Sequence, residues 1–225
     1  MFKWINKLLA NKYKKEQKPR GQRTLTTEAF ERFHPKGEGL FIINLKGTSN
    51  SFVAKVIEYF SGKLTHSFIA MYSQDLRSWF NDEQWAKITA KYNYYYGITT
   101  GIPTTAKVLV LGSADQDGMN YFDYSHYQNR IQSIRKAPLN SVQIKGIIGW
   151  LCQDRVMNAN YDYTGLVGWM FRKILPCTDV KVDLYCSELV ALAFNSVGLK
   201  IAKDLEPSPA QIEEYHKDWI VYSNL

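Results

Sequence analysis

A chain of 225 residues with 45% hydrophobic and 22% charged residues has the length and balance of one substantial globular domain, and two full domains would be crowded into it. Three cysteines, an odd number with no Cys-x-x-Cys pair, argue against a disulfide framework, and with only four scattered histidines they argue against a zinc cluster. No metal or other cofactor is therefore expected, a reducing compartment is the simpler inference, and no apolar run is long enough to span a bilayer.

The net charge of +7 is local. Between Met1 and Arg23 eight basic residues face one acidic residue, whereas the remaining chain carries 20 of each sign. Within this extension Phe2, Trp4, Ile5, Leu8 and Leu9 can share one helical face flanked by Lys3 and Lys7. Such a segment suits an anionic membrane surface, an acidic partner or a nucleic-acid backbone, and equally a solvated extension ending near Lys18 to Gly21. The apolar stretch is broken by Asn6, Lys7 and Asn11, so it does not read as a secretory signal; a cytoplasmic or particle-associated location is expected.

Along the body, residues 24–225 read as one mixed domain. Gly39 to Leu45 predicts a buried strand, Lys46 to Asn50 a loop, and Ser51 to Phe60 a helix through Phe52, Val53, Val56, Ile57 and Phe60. Leu64 to Tyr72 predicts a second strand whose alternation groups His66 with Phe68 and Ala70. An aromatic-rich insertion follows, about residues 73–106, with Trp79, Phe80, Trp85, Tyr92, Tyr94, Tyr95 and Tyr96; packing as a satellite core is the expectation. Lys107 to Leu111 predicts a strand, Gly112 to Gly118 a turn, and Ser141 to Met157 a helix in which Gly146 and Gly149 weaken the pattern or permit close packing. The Glu206 to Pro209 turn precedes a last short helix near Ala210.

Leu189, Val190, Leu192, Ala193, Phe194 and Val197 have helical apolar spacing, which puts Cys186 at a helix N-terminus. Unpaired backbone N–H groups and the positive helix end favour a thiolate there, and a thiolate so placed is a nucleophile with part of an oxyanion hole beside it. Of the other cysteines, Cys152 lies inside a helical pattern and Cys177 follows Pro176 in a loop. His66, near the start of its strand, is the candidate base. The competing reading of each is bland: a small buried cysteine and a structural histidine. Glu188 suits the first helical turn as a dipole-stabilising carboxylate, while His126 and His216 read as surface or partner-facing residues.

The order of Gly37-Glu38-Gly39-Leu40-Phe41, a helix, Leu64-Thr65-His66-Ser67-Phe68-Ile69, a further strand and helix, Tyr161-Asp162-Tyr163 and Tyr185-Cys186-Ser187-Glu188-Leu189-Val190 resembles the circularly permuted papain-like hydrolases. Within them it is most similar to the YiiX-like branch of the NlpC/P60 superfamily, over about Lys36 to Ile212. The resemblance implies an α+β, circularly permuted papain-like domain in which an antiparallel sheet packs against helices and the Cys186 helix lies against the sheet bearing His66. It carries over Cys186 as nucleophile and His66 as general base and later acid. A third residue that orients the imidazole comes in this group from the next strand and is often Glu; here Ser113 is the nearest polar residue, with Asp115 just beyond.

The function so implied is a thiol hydrolase, an amidase or peptidase acting on a peptide, a peptidoglycan peptide or another acyl-amide. The alternative is a catalytically decayed papain-like domain serving as a structural or binding subunit of a larger assembly, which the missing acid and the aromatic insertion favour. Deleting residues 1–23 is expected to leave a folded body of balanced charge and to abolish binding to anionic vesicles or nucleic acid, binding that for the full chain weakens with added salt. Vesicle cosedimentation and thermal melting of both forms check this; an unfolded truncation product would make the extension an assembly element instead.

Overall fold

The computed structural model of the protein describes residues 37–46, 64–115, 118–122, 130–162, 184–203 and 206–223. The basic extension, the helix predicted at Ser51 to Phe60, His126, Tyr163 and Cys177 lie outside the described residues. Six strands, β1 (Gly39–Lys46), β2 (Leu64–Tyr72), β3 (Val108–Asp115), β4 (Gly118–Phe122), β5 (Ile131–Lys136) and β6 (Ile220–Ser223), form one antiparallel sheet in the order β4-β3-β2-β1-β5-β6. Five α-helices accompany it among the described residues: α1 (Asp82–Tyr96), α2 (Ser141–Leu151), α3 (Asp154–Met157), α4 (Cys186–Asn195) and α5 (Pro209–Glu214).

The two central strands are buried on both faces. Leu40, Ile42, Ile69, Met71, Leu109 and Leu111 pack on one side with α2 and α4, and Phe41, Ile43, Leu45, Phe68, Ala70, Tyr72 and Val110 form a second cluster. A strand buried on both faces reads as a continuous apolar run, which is how Gly39 to Leu45 reads. On the first face α4 contributes Leu189, Val190, Ala193 and Phe194, all essentially inaccessible, and this seats the helix across β2 and β3. Each such side chain stabilises by roughly 1.5–3 kcal/mol on burial, more than any single cap or surface ion pair supplies. Gly146 permits the close contact of α2 with the turn after α4, since a Cβ there would lie 2.8 Å from Val197 Cγ1.

Several sequence expectations are corrected. The aromatic insertion is not a satellite core. Its central part is α1, capped by a reciprocal Asn81–Gln84 box and ended by Gly97 at φ 64°, and Ile88 and Tyr92 enter the main core together. Tyr95 instead meets Phe122 with ring centroids 5.2 Å apart, so the helix touches both apolar clusters. The predicted turn at Gly112 to Gly118 is largely strand: β3 runs on to Asp115, which pairs with Gly118 at the start of β4. Alternation is hidden there by a register shift between Val110 and Ser113. The helix predicted to Met157 stops at Leu151 and resumes as α3, because Cys152 and Gln153 leave helical geometry. Neither β5 nor β6 was legible, β5 because Gln132, Ser133 and Arg135 interrupt its apolar residues.

Gly112 sits at the β3 irregularity with φ 155°, and a Cβ would approach Leu151 and Leu189 side chains at 3.2 and 3.3 Å. Gly112→Ala is expected to destabilise the protein by about 1–3 kcal/mol through backbone strain and crowding of α2 and α4. Denaturant unfolding measures this directly, and a change under about 0.5 kcal/mol would contradict the assigned backbone.

Candidate active site

Two of the predicted residues, His66 on β2 and Ser113 on β3, meet where these strands part, and α4, the helix that Cys186 opens, packs against both strands. The ladder between these strands covers Ala70 to Tyr72 against Val108 to Val110 and goes no further toward His66. Across the opening, His66 Nε2 lies 2.6 Å from Ser113 Oγ. Ser113 is fully buried, so its hydroxyl is a fixed partner. Asp115 closes β3 by pairing with Gly118, and its side chain lies outside the described residues.

Cys186 is the first residue of α4, as its position before an apolar helical repeat predicts. Glu188 accepts a hydrogen bond from the Tyr185 N–H at 3.4 Å, the helix-stabilising role its place in the first turn suggests. Cys186 is buried, and the Ser67, Ser187 and Cys186 backbone together with the Ser187 hydroxyl act on its thiol in the direction that favours the thiolate. The chain leading into this helix is itself held: Leu184 pairs with Tyr161, its N–H donates to the Asn160 carbonyl at 3.0 Å, and its carbonyl accepts from the Asp162 N–H at 3.2 Å. Tyr161 and Asp162 thus support the approach to Cys186 through their backbone.

The electrostatics differ from the simple helix-terminus expectation. Burial pushes the Cys186 thiol up to about 11, outweighing the nearby groups that favour the thiolate. Cys152, buried at the end of α2, is pushed up to about 12, chiefly by burial. His66 is only partly covered as a residue, yet its ring is packed closely enough that burial, with the Arg130 guanidinium adding repulsion, lowers it to about 3. Arg130 is anchored near β2 by the Lys46 carbonyl and the Thr65 hydroxyl. At neutral pH the site therefore holds a thiol and a neutral imidazole, not a preformed ion pair. The His66 Nε2–Ser113 Oγ contact fixes the orientation of the ring.

Sequence reasoning missed a buried polar chain next to this site. Ser67 Oγ donates to Asn44 Oδ1 at 2.6 Å, Asn44 Nδ2 donates to Glu213 Oε2, and Ser133 Oγ donates to the same carboxylate at 2.5 Å. Arg135, 1% exposed, lies 3.5 Å from that oxygen and donates to carbonyls at the end of α5. The available signal was Asn44 inside an otherwise apolar strand, since a buried amide needs partners. His216, expected at the surface, stacks on Trp219 at 3.9 Å and reaches the Lys200 carbonyl. Among the described residues no group of three His, Cys, Asp or Glu is arranged to hold a metal ion, and no helix is long and apolar enough to cross a membrane.

No protein-family model matches the chain, and no curated protein matches it.

The depressed His66 value links the site to acid stability. Above pH 6.5 the imidazole is neutral in both folded and unfolded chains; between 6.5 and about 3 only the unfolded chain takes up the proton, so stability falls as pH falls. His66→Gln is expected to flatten the stability profile across that window, measured by urea unfolding from pH 7 to 4. An unchanged slope would show that the ring is solvated in the folded protein.

Proposed function

We propose that the protein is a thiol hydrolase of the circularly permuted papain-like type, with Cys186 as nucleophile, His66 as general base and acid, and Ser113 as the residue that orients the imidazole. One observation carries this reading: Cys186 opens a helix that packs on β2 and β3, the two strands across which the His66 imidazole and the Ser113 hydroxyl meet at 2.6 Å. A helix-borne thiol and a strand-borne imidazole oriented by a hydroxyl are the parts that acyl transfer needs.

Because both groups rest neutral, the thiol proton passes to His66 as the sulfur attacks the substrate carbonyl, with no resting ion pair required. The carbonyl electrons move to oxygen, and N–H groups at the start of α4 are placed to stabilise that charge. Collapse breaks the carbon–nitrogen bond, and the imidazolium returns its proton to the leaving amine. Water, deprotonated by His66, then cleaves the thioester and restores the thiol. Suitable substrates are amides of peptides, including peptidoglycan peptides. The second reading, a decayed domain acting as a structural or binding subunit, is favoured by the same neutral resting states and by a serine where the group often has an acid.

Incubation with an activated p-nitrophenyl ester separates these readings. The expected outcome is an acyl adduct on Cys186 and not on Cys152, with nitrophenol release slowed about 10²–10⁴-fold in His66→Ala and roughly tenfold in Ser113→Ala. A Cys186 that acquires no acyl group while the protein remains folded would leave the structural reading standing.

A further inference from the structure

Resting on the hydrolase reading, a second element is tied to the nucleophile. The segment from Pro207 to Glu213 makes two separate attachments. At one end the Pro207 carbonyl accepts from the buried Ser187 hydroxyl at 2.5 Å, and Ser187 is the residue after the nucleophile. At the other end the Glu213 carboxylate accepts from Asn44 and Ser133, and Asn44 in turn accepts from Ser67, the residue after His66. The two catalytic candidates thus each precede a buried serine, and both serines are secured by the same short stretch of chain. That stretch is itself pinned to β5, where Arg135 donates to the Ile212, Glu213 and Tyr215 carbonyls.

We propose that Pro207 to Glu213 is a clamp that sets the Cys186 helix against β2, with Ser187, Ser67, Asn44 and Glu213 as positioning residues for the thiol. The need for such a device follows from the fold. The apolar contacts of α4 with Ile69, Met71 and Leu109 fix its seat on the sheet but are non-directional, so they tolerate small slides along the helix axis. Hydrogen bonds of 2.5 and 2.6 Å at the helix start and on the facing strand do not. The Ser67 hydroxyl is held by Asn44 on the strand that carries His66, and the Ser187 hydroxyl by Pro207 in the helix turn that carries Cys186, so the clamp acts on both sides of the site. The titratable and charged groups on the elements around the clamp are His66 on β2, Arg130 before β5, Glu188 on α4 itself, and Glu213 with Arg135 at the end of α5 and on β5.

The test is the pH-rate profile of iodoacetamide alkylation at Cys186 in the full chain, read by peptide mass spectrometry with Cys152 as an internal report on opening of the fold. Ser67→Ala and Ser187→Ala are expected to slow Cys186 about three- to tenfold and to shift its midpoint upward by roughly half a pH unit, leaving Cys152 unchanged. Ser67→Thr and Ser187→Thr, which retain the hydroxyl, restore most of the rate. Glu213→Gln gives an independent arm that keeps the shape of the carboxylate, and slower Cys186 alkylation is expected there too. Wild-type profiles in both alanine variants, or acceleration of both cysteines together, would overturn the clamp and assign these bonds to stability alone. His66→Ala distinguishes the two levels. If it slows Cys186 while the serine variants do not, the clamp fails and the hydrolase reading survives; if it leaves Cys186 unaffected, the reading fails and the clamp falls with it.

Discussion

β1 and β2 have no solvent side, and that constraint shapes everything around the candidate site. A strand with two buried faces leaves no place for an unpartnered polar side chain, because an unsatisfied buried group costs about 1–3 kcal/mol. Asn44, Ser67 and His66 all stand in these strands, and each is matched: Asn44 to Glu213, Ser133 and Ser67, and His66 to Ser113. The partners come from β3, β5 and α5, so the polar residues of two strands dictate where three other elements must sit.

The same burial decides the electrostatic state of Cys186. A helix N-terminus contributes roughly 0.3–1 kcal/mol toward an anion in an exposed setting. Removing a thiolate from water costs more than that, so burial pushes the thiol up to about 11 even though nearby backbone groups favour the thiolate. Arg130 acts in the same direction on His66, disfavouring the imidazolium. Under the proposed hydrolase reading, the proton is transferred during attack and charge develops only when an electrophile is present.

Helix α4 therefore serves two roles with different tolerances. Its apolar face, through Leu189, Val190, Ala193 and Phe194, needs only volume and shape. Its first turn needs angular placement, and directional bonds from Ser187 and the backbone of Leu184 provide it. Gly112 belongs to both: its open φ allows β3 to bend past α4, and the bend carries Ser113 to the imidazole.

Residues read singly in the sequence determined a good deal. The apolar run at Gly39 to Leu45, the strand at Leu64 to Tyr72 and the helix opening at Cys186 follow from local spacing, and all three occur as elements. Ser113 came not from residues read singly but from the resemblance, which implies a polar residue on the strand after His66, and its hydroxyl lies 2.6 Å from the ring. Tertiary structure alone decided the rest. Pairing of β1 with β5 and of β5 with β6 joins residues more than 80 positions apart, which no local period records. Ile88 and Tyr92 looked like part of a separate aromatic cluster because composition does not say which core a helix face joins. The protonation of Cys186 and His66 depends on how much water the assembled fold excludes, a property of packed neighbours and not of any motif.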